Sequence, residues 1–247
     1  MSKMHDTYPL WLKAIAVVLS PFRAPGYSIK RDHTTKFDAL SVVTYAELRG
    51  RICDGDLLFC GGNFAFSKAI RYLSGCSLVS HVGIVYWWND RLMVLESVET
   101  DGVRMVPVSQ YLTNYENTAK AYSGRLYLAR DRRLVQPLQE GVQAIGKEAL
   151  LQLPQSSNPK IDELLGRAAT LLNKKFSFKD VLLFFWQGNT GRLQYVDNDE
   201  FLCSEFVAKC FAGVGILYAG DGRGFVAPEH IAASDHVEVL VEIRGQG

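Results

Sequence analysis

From Phe201 to Gly215 the chain reads FLCSEFVAKCFAGVG, and the apolar residues Cys203, Phe206, Val207, Cys210, Phe211 and Val214 recur at i, i+3, i+4, i+7, i+8 and i+11. That spacing is one face of a helical period, so the stretch has to bury a continuous stripe against a large partner. It predicts a core helix. The turn-forming run Asp197-Asn198-Asp199-Glu200 stands before it, and Gly213 and Gly215 supply a stop. Cys203 then falls in the first turn, where unpaired backbone N–H groups and the positive end of the helix dipole favour the nucleophilic thiolate form. The stripe alone does not separate such a thiol from an ordinary one. Cysteine is among the most buried residue types, and Cys210 on the same stripe reads as packing. A partner has to decide the matter.

With 247 residues, 48% of them hydrophobic and 21% charged, the chain can bury a full core as one large domain or one domain with extensions. The 27 Lys and Arg residues against 26 Asp and Glu leave a formal charge of +1, which provides no field for nucleic acid. Cys53, Cys60, Cys76, Cys203 and Cys210 are odd in number and show neither a CxxC pair nor a zinc spacing with His. They read as reduced thiols of a chain that folds in a cytoplasm. No apolar run approaches the roughly 20 residues that span a bilayer. The short run Ala14 to Leu19 has Asp6 ahead of it, Lys13 beside it and no A-x-A site after it, so a cleaved export signal is not expected.

Along the chain, Pro9 opens a predicted helix with Leu10, Trp11, Ala14, Ile15 and Val18 on one face, closed by Pro21. Residues 9–20 are expected to dock on the domain or a partner protein, with the anionic surface of a membrane as the alternative. Thr44 and Glu47 have capping-box spacing, which predicts a short helix at the end of an N-terminal helical extension, residues 1–50. A catalytic domain is expected over 51–247. Gly55-Asp56-Leu57-Leu58-Phe59-Cys60 reads as a strand entering the core, and Phe66 to Leu73 as a short helix. Strands are expected at 102–107, 124–129 and 237–241. A helical insertion is expected at about 134–175, broken by the turn-rich Pro154 to Pro159, and Ser177 to Trp186 reads as helical.

The clearest local signal is a hairpin, Ser80 to Trp88 and Arg91 to Val98 around the polar pair Asn89-Asp90. A two-residue loop puts Trp88 opposite Arg91, Gly83 opposite Glu96 and His81 opposite Val98. Side chains alternate, so His81, Gly83, Glu96 and Val98 share one face. His81 and Glu96 become diagonal neighbours, roughly 7–8 Å apart at the backbone and within reach of a long side chain. Gly83 leaves space between them. Without further information the pair also fits a structural histidine beside a solvent-facing acid, and Glu99 and Asp101 stand close by as alternative partners for the ring.

A strand bearing His81, a following strand bearing Glu96, and a later helix opening Cys203-Ser204-Glu205-Phe206-Val207 resemble the permuted papain-like amidases, the circularly permuted branch of the NlpC-type cysteine peptidase superfamily. The resemblance runs from about Gly55 to Val241. It includes Gly55-Asp56-Leu57-Leu58-Phe59, Ser80-His81-Val82-Gly83-Ile84-Val85, Glu96-Ser97, the Asn173 to Ser177 turn and Pro228-Glu229. Ordinary papain-like enzymes place the cysteine helix before the histidine strand, and here the order is reversed. The turn at 173–177 lacks the Gly and Tyr-Asp often seen in the family, so the pocket is expected to differ there.

The resemblance implies an α+β fold, an antiparallel sheet packed on the cysteine helix, and a cysteine hydrolase. Cys203 would be the nucleophile, His81 its base and Glu96 the group that orients the imidazole, with no metal or cofactor required. The implied substrates are peptide amides of bacterial cell wall. Delivery by a phage particle or a secretion system would then replace an export signal. Two other functions stay open at this point: a lipid acyltransferase or thioesterase using the same Cys and His, as in the lecithin–retinol acyltransferase relatives, and a papain-like structural component of a larger assembly.

Overall fold

The computed structural model describes residues 35–62, 78–135, 146–154, 158–177, 202–219 and 226–244. The helices expected at 10–18 and 66–73, nearly all of that at 177–186, the acidic run at 197–200 and Cys76 lie outside the described residues. Among the described residues, seven strands form one sheet: β1 (Val42–Thr44), β2 (Leu57–Gly61), β3 (His81–Trp88), β4 (Arg91–Val98), β5 (Gly102–Pro107), β6 (Arg125–Asp131) and β7 (Val237–Arg244). Their spatial order is β1-β7-β6-β2-β3-β4-β5, and every pairing is antiparallel except that of β1 with β7.

The hairpin has the register its sequence predicts, with Trp88 opposite Arg91 and Ile84 opposite Leu95. Asn89 takes φ 54°, a left-handed conformation that Asn tolerates and that tight hairpin turns need. At the next turn the same role falls to Gly102, at φ 68°. A Cβ there would also lie 2.1 Å from the Lys174 carbonyl, so the 173–174 backbone can close over the β5 edge, where the Val103 amide donates to the Lys174 carbonyl at 2.8 Å.

Strand alternation sorts the core onto the two faces of this sheet. On one face, Leu57, Phe59, Val82, Ile84 and Leu95 pack with Ile161, Leu164, Phe206, Val207 and Phe211. These bring in two helices, α5 (Pro159–Thr170) and α6 (Cys203–Gly213), which also pack on each other. The opposite face, with Leu58, Cys60, Val85 and Val94, is covered by Leu48 of α1 (Tyr45–Leu48), Tyr111 and Leu112 of α2 (Val108–Thr113), and Leu150 of α4 (Lys147–Leu151). Each large apolar side chain so buried contributes roughly 1.5–3 kcal/mol, so neither layer is incidental. The capping box expected at Thr44 and Glu47 is present, with the Thr44 amide donating to the Glu47 carboxylate at 2.9 Å.

The helical reading of 134–153 resolves into α3 (Arg132–Val135) and α4, with 136–145 outside the described residues. Residues 42–44, expected in the N-terminal extension, add β1 to the sheet, because the extended Val-Val-Thr run offers its backbone to the free edge of β7. Lys36 ties the same segment to α7 (Pro228–Ala233) and to the residues just beyond that helix, donating to the carbonyls of Ala232 at 3.2 Å, Ser234 at 2.6 Å and Val237 at 2.9 Å. A buried ion pair crosses the second layer. Arg130, 1% exposed, donates to both Asp56 oxygens at 2.6 and 2.8 Å and to the carbonyls of Leu150 and Arg51. Such a pair persists in the interior because both carboxylate oxygens and most of the guanidinium donors are satisfied.

Candidate active site

Cys203 is the first residue of α6, and the expected stripe behind it is buried from Phe206 to Val214. The residue before it, Leu202, has extended backbone and supplies no side-chain cap. Glu205 takes the Leu202 amide at 3.1 Å and the first helical bond closes from the Phe206 amide to the Leu202 carbonyl at 2.9 Å. An apolar residue at the cap position leaves the amides of the first turn without the acceptor that a Ser, Thr or Asp would provide. Cys203 is half-buried, whereas Cys53, Cys60 and Cys210 are buried.

His81 is the first residue of β3. By alternation it belongs to the sheet face that carries Val85 and Tyr111, opposite the face on which α6 packs. The thiol and the imidazole therefore approach from different layers and meet at the end of the sheet, with Cys203 within hydrogen-bonding reach of the ring. The other side of the ring is fixed: His81 Nε2 lies 2.6 Å from Glu96 Oε2. Nδ1 is the nitrogen left for the sulfur.

Glu96, expected to be reached by His81 across the hairpin, is 0% exposed. The space above Gly83 is not open as expected. A Cβ there would lie 2.5 Å from Val94 Cγ1 and 3.3 Å from Glu96 Cβ, so the glycine permits close approach of the two strands beneath the pair. Glu99 and Asp101 do not take the ring. Asp101 accepts from Arg104 at 2.5 Å, and burial raises the pKa of Glu99.

Burial by itself would raise the Glu96 pKa, but the hydrogen bond and charge of His81, then Arg104 and Tyr111, outweigh it and hold the carboxyl at about 2. Burial likewise works against a charged His81. The charge and hydrogen bond of Cys203, and then those of Glu96, overcome it and raise the imidazole well above its ordinary range. The remaining described cysteines are pushed away from reactivity. Burial takes Cys53 up to about 11, Cys210 up to about 12 and Cys60 well above the usual thiol value.

Two residues that sequence reasoning missed complete the cluster. Arg104 on β5 donates through Nε to Glu96 Oε1 at 3.0 Å, and the Tyr111 hydroxyl on α2 donates to Glu96 Oε2. Signals for both were present. A turn at Gly102 sets Val98 opposite Gly102, and so Glu96 opposite Arg104. Val108, Tyr111 and Leu112 have i, i+3, i+4 spacing behind the strand-ending Pro107. Among the described residues, no group of three or more His, Cys, Asp or Glu side chains is placed to hold a metal ion.

A sheet that delivers an imidazole and its carboxylate to the first turn of a cysteine-bearing helix, with chain order histidine first, has the architecture of a permuted papain-like fold. Residues 51–148 match the family described as permuted papain-like amidase enzyme, YaeF/YiiX, C92 family, in keeping with the resemblance drawn from the motifs. His81 and Glu96 fall inside the matched segment, and Cys203 lies beyond it. The crystal structure of the metalloprotein yiiX from Escherichia coli O157:H7 is similar in fold, with a TM-score of 0.50 and 17% sequence identity over 79% of this chain and 98% of that one. No curated protein sequence matches the chain. The matched family is one of hydrolases of the amidase and peptidase type.

Proposed function

We propose that the protein is a cysteine-dependent amidase or peptidase in which Cys203, His81 and Glu96 act as a triad. The observation that carries this reading is the two-sided environment of His81, bonded to buried Glu96 at 2.6 Å through Nε2 and within hydrogen-bonding reach of Cys203. A ring held in that way accepts a proton on one fixed nitrogen and is stabilised once it has done so.

Cys203 Sγ attacks the amide carbonyl with its proton held on His81 Nδ1. The oxyanion is received by backbone amides in the first turn of α6, which Leu202 leaves uncapped. The imidazolium returns its proton to the departing amine as the C–N bond breaks, leaving a thioester on Cys203. Water then attacks the thioester with His81 as base, and the acid product and free thiol are released. Glu96 keeps Nε2 protonated throughout and offsets the imidazolium charge.

Peptide amides of bacterial cell wall are the substrate class in this proposal, following the family resemblance. The test is mass spectrometry of purified muropeptides and of lipid esters incubated with the protein and with Cys203→Ala. Cleavage of a peptide bond by the wild type alone supports the proposal. Acyl transfer from the lipid ester replaces it with a lipid-acting enzyme, and no turnover of either supports a structural role.

A further inference from the structure

Glu96 is held from three sides, and the imidazole is only one of them. Arg104 Nε donates to Oε1 at 3.0 Å, while Oε2 is shared between His81 Nε2 and the Tyr111 hydroxyl. A carboxylate on a flexible side chain can rotate about its last bond and exchange its oxygens. With a guanidinium on one oxygen and a phenol on the other, that rotation is blocked and Oε2 is presented to the ring. The holders are themselves held. Arg104 is anchored to Asp101 at 2.5 Å and faces Glu116 at 3.7 Å. Tyr111 packs against the rings of Tyr115 and Tyr122 at centroid distances of 5.0 and 5.7 Å. The backbone beyond it is left-handed at Glu116, Asn117 and Ala119, with φ of 50°, 58° and 56°. Glu and Ala, unlike Asn, keep such conformations only where surrounding packing over-determines them.

We propose that Arg104 and Tyr111 are positioning residues that clamp Glu96, so that the orientation and basicity of His81 are set by two side chains that reach the ring only through that carboxylate. This rests on the triad proposed above. Arg104 supplies the fixed positive charge that a fully buried carboxylate needs while its other partner, a histidine, gains and loses a proton. Tyr111 supplies a neutral donor, which fixes geometry and adds little charge. The clamp acts only through Glu96, and that makes it separable from a structural role.

The experiment compares wild type, Arg104→Met, Arg104→Lys, Tyr111→Phe, Glu96→Gln and the double variant Glu96→Gln with Arg104→Met. Two quantities are read: the rate of iodoacetamide alkylation of Cys203 at neutral pH, followed by mass spectrometry, and the His81 titration by NMR. Arg104→Met is expected to slow alkylation about 10- to 100-fold, because a bond to a charged group is lost, and to shift the His81 pKa, because the carboxylate that the ring faces loses its fixed positive partner. Arg104→Lys should recover much of this by restoring the charge. Tyr111→Phe should cost about 3- to 10-fold. In the Glu96→Gln background, Arg104→Met should add less than about twofold, since the residue through which it acts is already disabled.

Equal losses in both backgrounds, or a His81 titration unchanged by Arg104→Met, would overturn the clamp. Should Arg104→Met not fold, as judged by circular dichroism, Arg104→Lys and Tyr111→Phe decide it. A His81 titration unchanged in both overturns the proposal, and one shifted in either sustains it. If wild-type Cys203 alkylates no faster than a free thiol, the triad fails, while the His81 titrations still decide whether Arg104 and Tyr111 act on the ring.

Discussion

Replacing Glu96 with Gln keeps the shape of the side chain and removes its charge, and the consequences can be worked from its surroundings. In the wild type, Oε1 faces the Arg104 guanidinium and Oε2 faces two donors, His81 Nε2 and the Tyr111 hydroxyl. An amide offers an oxygen on one side and an NH2 on the other, so either the Arg104 guanidinium meets N–H groups or His81 and Tyr111 must turn from donors into acceptors. Breaking a buried ion pair from one side costs about 3–5 kcal/mol. The lower end applies, because Arg104 is 18% exposed and keeps Asp101. The pKa provides an independent figure. A carboxyl lowered from 4.5 to about 2 contributes on the order of 3 kcal/mol of folding stability when ionised. Because the folded value is depressed, that contribution is complete above pH 4.5 and is lost as the pH falls toward 2. Urea unfolding of both proteins at several pH values between 7 and 3 is the assay. Glu96→Gln should be about 3 kcal/mol less stable at pH 7, with the gap closing as acid protonates the wild-type carboxyl. The His81 pKa should fall in the variant, and turnover should drop while remaining measurable. Two stability curves that run parallel from pH 7 to 3 would refute the account of Glu96 as a carboxylate held ionised by its partners.

His81→Ala removes the proton acceptor itself, so turnover of a cleavable peptide should fall by about 10²–10⁴-fold or more and further than in Glu96→Gln; a loss smaller than that of Glu96→Gln would mean that the ring does not act as base. In the wild type, NMR should find His81 titrating above the ordinary imidazole value of 6.5, since Cys203 and Glu96 outweigh burial, and a value below it would contradict this geometry. Iodoacetamide at neutral pH should label Cys203 before Cys53, Cys60 or Cys210, which are buried with raised thiol pKa values, and earlier labelling of any of those three would tell against Cys203. Gly83→Ala places a methyl within 2.5 Å of Val94 and 3.0 Å of the Leu95 carbonyl, so the hairpin must shift. A loss of about 1–3 kcal/mol in unfolding experiments is expected, together with slower Cys203 alkylation, and a variant as stable as wild type would show that the strands do not approach so closely.

Local periodicity carried much of this fold. The stripe from Phe206 to Val214, the Asn89-Asp90 turn and the Thr44 to Glu47 cap each state their own structure, because helical spacing, strand alternation and capping are set by residues a few positions apart. The hairpin turn also sets the Gly83–Glu96 register, and with it the neighbourhood of His81 and Glu96, from sequence alone. Three things depended on tertiary structure. Cys203 and His81 lie 122 positions apart, the one on a helix packed against one face of the sheet and the other on a strand that turns its side chain to the opposite face, so no local pattern could state that they meet. The parallel pairing of β1 with β7 joins residues 42–44 to residues 242–244, a long-range choice made by a free strand edge rather than by the short Val-Val-Thr run itself. Finally, the charge state of Glu96 came from burial against three converging donors. An acid on a strand reads the same in sequence whether it faces solvent or a guanidinium, a phenol and an imidazole, and only the packing of β5 and α2 around it makes the difference.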